Sequence, residues 1–120
     1  MSISVQELLT QKARKFGKSE AADDFQQIFL DAFNYVLDDL ENRAQVSTDR
    51  ITYTYEEVDL DKQLYSGTLS IGLDYYIQLN HQYSTEDLNA LERRYEDKLR
   101  TANMVKYKSD GYGVRFGEIS

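Results

Sequence analysis

Val5, Leu8, Leu9, Ala13 and Phe16 recur at helical spacing with polar residues between them. The pattern predicts a helix over residues 5 to 16, since positions three or four apart share one face. Ser4 and Glu7 supply the S-x-x-E spacing of a capping box, and Gly17 stands where a left-handed C-terminal residue belongs. A second helix is expected from Ser19 as N-cap, with Glu20, Asp23 and Asp24 in its first turn, where the helix dipole favours carboxylates. Its stripe is Phe25, Ile28, Phe29, Ala32, Phe33, Val36, Leu37, Leu40 and Ala44. This long amphipathic helix, with three phenylalanines on one face, is the predicted core axis.

The period then changes. Ile51, Tyr53 and Tyr55 alternate with Thr52, Thr54 and Glu56, which predicts an extended strand or arm within residues 47 to 58. A strand needs a partner, and the other extended candidates are residues 104 to 108 and 112 to 116. Pairing within the chain and pairing with another copy are both open at this stage. Asp59 or Asp61 is expected to cap a third helix bearing Leu64, Leu69, Leu73, Tyr76, Ile77 and Asn80 near one face. Gly67 and Gly72 each weaken a helix by about 1 kcal/mol relative to Ala. They predict either a break around residues 66 to 70 or the close approach of another backbone. Ser84 or Thr85 is expected to cap a fourth helix with Leu88, Leu91, Tyr95, Leu99 and Ala102 inward, ending near Asn103. Residues 104 to 120 hold three glycines and a Ser-Asp-Gly turn signal beside Tyr107, Tyr112, Val114, Phe116 and Ile119. That mixture predicts an arm that orders against a partner.

The predicted class is therefore mainly α: a bundle of three to five helices with a minor extended element over residues 1 to 103, followed by a C-terminal arm over 104 to 120. With 120 residues the chain is expected to be one domain, and with no cysteine it has no disulfides, thiol nucleophile or thiolate zinc site. Fourteen basic against twenty-one acidic residues give a net charge of -7, which disfavours generic binding to nucleic acid or anionic lipid. The start lacks a basic region followed by an unbroken apolar run, and nothing approaches a membrane span; the expectation is a soluble, unexported protein without membrane association.

Candidate chemistry is sparse. Gly17-Lys18-Ser19 matches the end of a phosphate loop, but Lys12 stands where the motif requires glycine, so a helix-to-helix turn is the preferred reading. His81 is the single histidine and has no nucleophile motif beside it. Asp59-Leu60-Asp61 lacks the rest of a calcium loop, and capping is preferred. Asp38, Asp39 and Glu41 point in different directions around a helix, unlike an acid and base pair. No enzyme, cofactor or metal is expected.

Surface patterning says more. Glu20, Asp24, Gln27, Asp31, Asn34, Asp38 and Glu41 form a polar stripe opposite the phenylalanines. Its acidic face, Asp24, Asp31 and Asp38, is either a solvated surface or one that repels or imitates a polyanion. Lys12, Arg14, Lys15 and Lys18, with Lys98, Arg100, Lys106, Lys108 and Arg115, offer a basic counterpart for head-to-tail contacts between copies. Among ten tyrosines, Tyr53, Tyr55, Tyr65, Tyr107 and Tyr112 fall outside any core stripe and suit an interface.

This order of a short capped helix, a long amphipathic helix, an extended excursion, two more helices and an arm resembles the head-to-tail connector, or adaptor, proteins of tailed bacteriophages. The resemblance spans about residues 4 to 116 and is one of layout. It implies a structural subunit of a ring, typically of twelve copies, that docks on the portal and lets DNA pass without specific binding. It implies residence in the virion neck, and in host cytoplasm before assembly. Portal protein and a neighbouring tail or connector protein are the implied partners, with Tyr53, Tyr55, Tyr107, Tyr112, Arg115 and Phe116 as the expected contacts. The glycine-interrupted third helix departs from that layout. An acidic DNA-mimic inhibitor, or a small protein-binding module, is the alternative reading.

Overall fold

The computed structural model describes residues 2–81 and 87–109. Its elements run β1 (Ile3–Ser4), α1 (Val5–Lys15), α2 (Asp23–Ala44), β2 (Glu57–Val58), α3 (Lys62–His81) and α4 (Leu88–Ser109). The class is the expected one, a mainly helical bundle with a minor extended element. Ser4 caps α1 by accepting a hydrogen bond from Glu7 N at 3.3 Å, and Gly17 takes a left-handed φ of 66° just beyond its end. The second helix starts at Asp23, later than predicted. Ser19 accepts instead from Ala21 N at 3.2 Å, so its hydroxyl closes a local turn rather than capping the helix.

Phe25, Phe29 and Phe33 of α2 are fully buried with Leu69, Leu73 and Ile77 of α3 and Leu91, Tyr95 and Leu99 of α4. Each such side chain contributes about 1.5–3 kcal/mol by leaving water. α1 adds Val5, Leu8, Leu9 and Ala13 to the same core.

α3 is continuous through both glycines, so of the two alternatives expected there the break does not occur. A Cβ on Gly72 would lie 2.6 Å from Val36 Cγ2 and 2.7 Å from Tyr95 Cε1. Gly72 is thus where α2 and α4 press their side chains onto α3, and the propensity it forfeits is offset by that approach. Gly67 faces only the end of Lys98, with Nζ 3.6 Å from a built Cβ. The expected face of α3 shifts as well: Leu64 is exposed, and Tyr65, expected to be free for an interface, is buried. α4 runs to Ser109 rather than ending near Asn103, because no glycine or proline interrupts residues 88 to 109. Met104–Ser109, assigned above to the arm, are therefore helical. The expected caps Ser84 and Thr85, and residues 110 to 120, lie outside the described residues.

Residues 47 to 58 do not form the expected strand. Only Glu57–Val58 are extended, and they pair antiparallel with Ile3–Ser4 in the register Ile3↔Val58 and Ser4↔Glu57. Val5 N continues the contact to Glu56 O at 3.2 Å. The pairing is within the chain, with Ile3–Ser4 as partner; of the two C-terminal candidates, residues 104 to 108 are helical and residues 112 to 116 lie outside the described residues. No helix among the described residues is long and apolar enough to cross a membrane.

Candidate functional site

The loop between α2 and α3 is the most built surface feature. α2 ends on Gln45, which adopts a left-handed φ of 59°, and Val46 N then bonds back to Leu40 O at 3.0 Å. Asn34, at the middle of α2, grips the loop from both sides: its Nδ2 donates to Ile51 O and its Oδ1 accepts from Ile51 N, each at 2.9 Å. Ile51 is buried beside this pair. Arg50 donates to Asp38 at 2.6 Å, to Glu41 at 3.3 Å and to Thr48 O at 2.8 Å. The alternation of residues 51 to 56 fails to make a strand because the backbone groups find side chains instead of a ladder.

Glu56 closes the loop on itself. Its Oε2 accepts from Thr52 N at 2.6 Å and Tyr53 N at 2.7 Å. Those two N–H groups hold its carboxyl below the ordinary carboxylate range. Between Tyr53 and Glu56 the chain turns, and the Tyr53 and Tyr55 rings stack at 5.1 Å and 12°. Tyr53 is 55% exposed and Tyr55 76% exposed. A pair of apolar rings is thus fixed on a loop anchored at both ends, which lowers the ordering cost of any contact made through it.

A second group of tyrosines is structural. Asp39 of α2 accepts from the hydroxyls of Tyr76 and Tyr95, the latter at 2.7 Å. Tyr75 donates to Glu92 at 2.8 Å, and its ring lies 5.1 Å from Tyr76 and 5.7 Å from Tyr95. Arg43 makes a forked pair with Glu96 across α2 and α4. The bond to Glu96 raises the Arg43 pKa and the bond to Arg43 lowers that of Glu96. Burial, then the Glu92 bond, pushes the Tyr75 hydroxyl up to about 12. Burial, then the Asp39 bond, raises Tyr76 and Tyr95 further still. These hydroxyls stay protonated and act as fixed donors.

A third cluster joins α1 to α3. Lys12, with a side chain 5% exposed, lies 2.8 Å from Asp74 Oδ1 and donates to Ser70 at 2.8 Å; Lys15 donates to Asp74 Oδ2 at 2.8 Å. The Lys12–Asp74 contact is an ion pair without good hydrogen-bond alignment, since Oδ1 has no aligned donor. Neither Lys12 nor Asp74 was marked by the sequence reading as part of such a pair.

The predicted contacts divide. Tyr53 and Tyr55 come together at the loop tip. Tyr107 falls on α4, and its side chain lies outside the described residues, as do Tyr112, Arg115, Phe116 and the His81 side chain. On the acidic stripe, Asp38 and Glu41 hold Arg50, Glu20 accepts from Gln6 at 3.1 Å and Thr10 at 2.5 Å, and Asp31 accepts from Gln27 at 2.9 Å. Asp24 accepts from Phe25 N at 2.8 Å and is exposed. Much of the stripe is engaged within the protein, and Asp38 and Glu41 bind its loop. The basic counterpart is reduced in the same way, because Lys12 is buried and Lys15 is paired. Asp61 caps α3 by accepting from Gln63 N at 2.9 Å and Leu64 N at 3.1 Å. No three metal-binding side chains converge among the described residues.

Comparison of the chain with protein-family models, curated proteins and solved structures finds no match.

Proposed function

We propose that the protein is a non-catalytic assembly subunit of the head-to-tail connector kind, which meets an adjoining protein through the loop that carries Tyr53 and Tyr55. The observation that supports this is the anchoring of that loop: Asn34, Arg50 and Glu56 hold a stacked, exposed aromatic pair in one geometry. Rigid tyrosines supply apolar area and hydroxyl donors at low entropic cost, the properties that enrich them at interfaces. In this reading the C-terminal segment with Tyr112, Arg115 and Phe116 docks on a portal, and copies form a ring around the DNA path. The decoy reading is weaker, because Arg50 pairs with Asp38 and Glu41 and offsets part of the negative charge that the stripe presents.

The test is to recover the untagged complex from the particles or cells that make the protein and weigh it intact by native mass spectrometry. A multi-copy assembly with a second ring protein is the expected result. A one-to-one complex with a basic nucleic-acid enzyme would overturn the proposal in favour of the decoy.

A further inference from the structure

The loop that presents the two tyrosines is also one-sided in charge. Residues 47 to 61 contain Asp49, Glu56, Glu57, Asp59 and Asp61 but only one basic residue, Arg50. Arg50 is held by Asp38 and Glu41, so it adds no free positive charge to the tip. Asp49, Glu57 and Asp59 are exposed. Glu56 is turned inward onto Thr52 and Tyr53, which leaves the rings rather than its carboxylate at the tip. Stacking hides the ring faces turned to each other, while 76% exposure of Tyr55 and 55% of Tyr53 leaves the remaining ring surface to solvent.

An aromatic face within a negative field attracts a planar cation. The guanidinium of arginine stacks on tyrosine and pairs with carboxylates at its edge, which the compact, strongly hydrated ammonium of lysine does less well. We propose that the Tyr53–Tyr55 pair is a docking platform for an arginine-bearing basic segment of a partner protein. The inference rests on the loop being a contact surface and adds the chemistry of what it contacts. An acidic partner is repelled by Asp49, Glu57 and Asp59, and a purely apolar one makes no use of their charge, although Glu57 also accepts from Ser2 Oγ at 3.2 Å.

The full chain is titrated at low salt with an acetylated, amidated Gly-Arg-Gly-Arg-Gly peptide and with its lysine counterpart, following the Tyr53 and Tyr55 ring protons by NMR. The arginine peptide is expected to move both ring signals and to bind about two- to fivefold more tightly than the lysine peptide. Tyr53→Ala and Tyr55→Ala are each expected to weaken arginine-peptide binding by about two- to fivefold. Asp31→Asn, on the exposed surface of α2, leaves it unchanged. Both tyrosines are exposed, so the variants retain the helical fold, which circular dichroism checks. Equal binding of the two peptides, or binding indifferent to both tyrosine substitutions, overturns the proposal. The titration needs no assembled particle, so its failure leaves the multi-copy assembly standing. A native mass without that assembly leaves the titration result standing.

Discussion

Asn34 and Ile51 exchange two hydrogen bonds, side-chain amide to carbonyl and amide N–H to side-chain oxygen, both 2.9 Å long. One residue of α2 thereby gives a partner to both backbone polar groups of a buried loop residue seventeen positions away. Asn34→Ala strands both backbone groups and is expected to lower stability by about 1–3 kcal/mol. Urea denaturation reads the loss, and faster exchange of the Ile51 amide locates it. An Ile51 amide that exchanges as slowly in the variant as in the parent would contradict this assignment.

The Lys12–Asp74 pair makes an asymmetric prediction. Asp74→Ala leaves Lys12 buried without its counter-ion and is expected to cost about 3–5 kcal/mol. Replacing both together, Lys12→Met with Asp74→Leu, is expected to recover most of that loss, because a packed apolar pair avoids the desolvation of two charges. A double variant no more stable than Asp74→Ala would show that the pair contributes more than it costs.

Two glycines of one helix should respond in opposite directions. Gly72→Ala drives a methyl group into Val36 and the Tyr95 ring; the overpacking of about 1–3 kcal/mol outweighs the propensity gain of about 1 kcal/mol. Gly67→Ala meets only the flexible end of Lys98 and is expected to stabilise by up to about 1 kcal/mol. Thermal melting of the two variants, compared at equal pH, checks the sign of each.

How far the sequence foretold these features depends on where each signal lies. The apolar stripe of α2 is a local pattern, and Phe25, Phe29, Phe33, Val36, Leu37 and Leu40 are all buried as it implies. Lys12 also had a local signal that was not used: it stands four residues after Leu8 and three after Leu9, on the buried face of α1. Asn34 had none, because its partner is a backbone group in a loop whose path only the fold sets. Within residues 47 to 58 only Glu57–Val58 make a strand for the same reason, since alternation reports which side chains are apolar and not where the backbone bonds go. Gly72 was legible as an anomaly, yet only the crossing of three helices tells a close approach from a break. Of the candidate contacts, Tyr53 and Tyr55 are exposed as their position off every core stripe suggests, but Tyr65 with the same signal is buried, and the stacking of Tyr53 on Tyr55 had no signal.

The tyrosine cluster predicts behaviour in alkali. A hydroxyl whose folded pKa lies above its unfolded value near 10 contributes stability that is fully present below pH 10 and is lost as pH rises through the folded value. For Tyr75 that window runs from about 10 to about 12. Ultraviolet titration of tyrosinate should show Tyr75, Tyr76 and Tyr95 lagging, and Tyr75→Phe should remove one equivalent of the lag. Ionisation of all ten tyrosines in one step near 10, with the helical signal intact, would contradict this.

The pairing of Ile3 with Val58 also sets an order of events. Ile3 pairs with a residue far along the chain, and Lys12 with Asp74, farther still. Closing residues 3 to 15 onto the fold therefore takes a long loop closure, while α3 and α4 are neighbours in sequence and dock with a short one. Pulse-labelled hydrogen exchange during refolding is expected to protect α3 and α4 before residues 3 to 15. Residues 3 to 15 are, in folding time, the clasp of the fold.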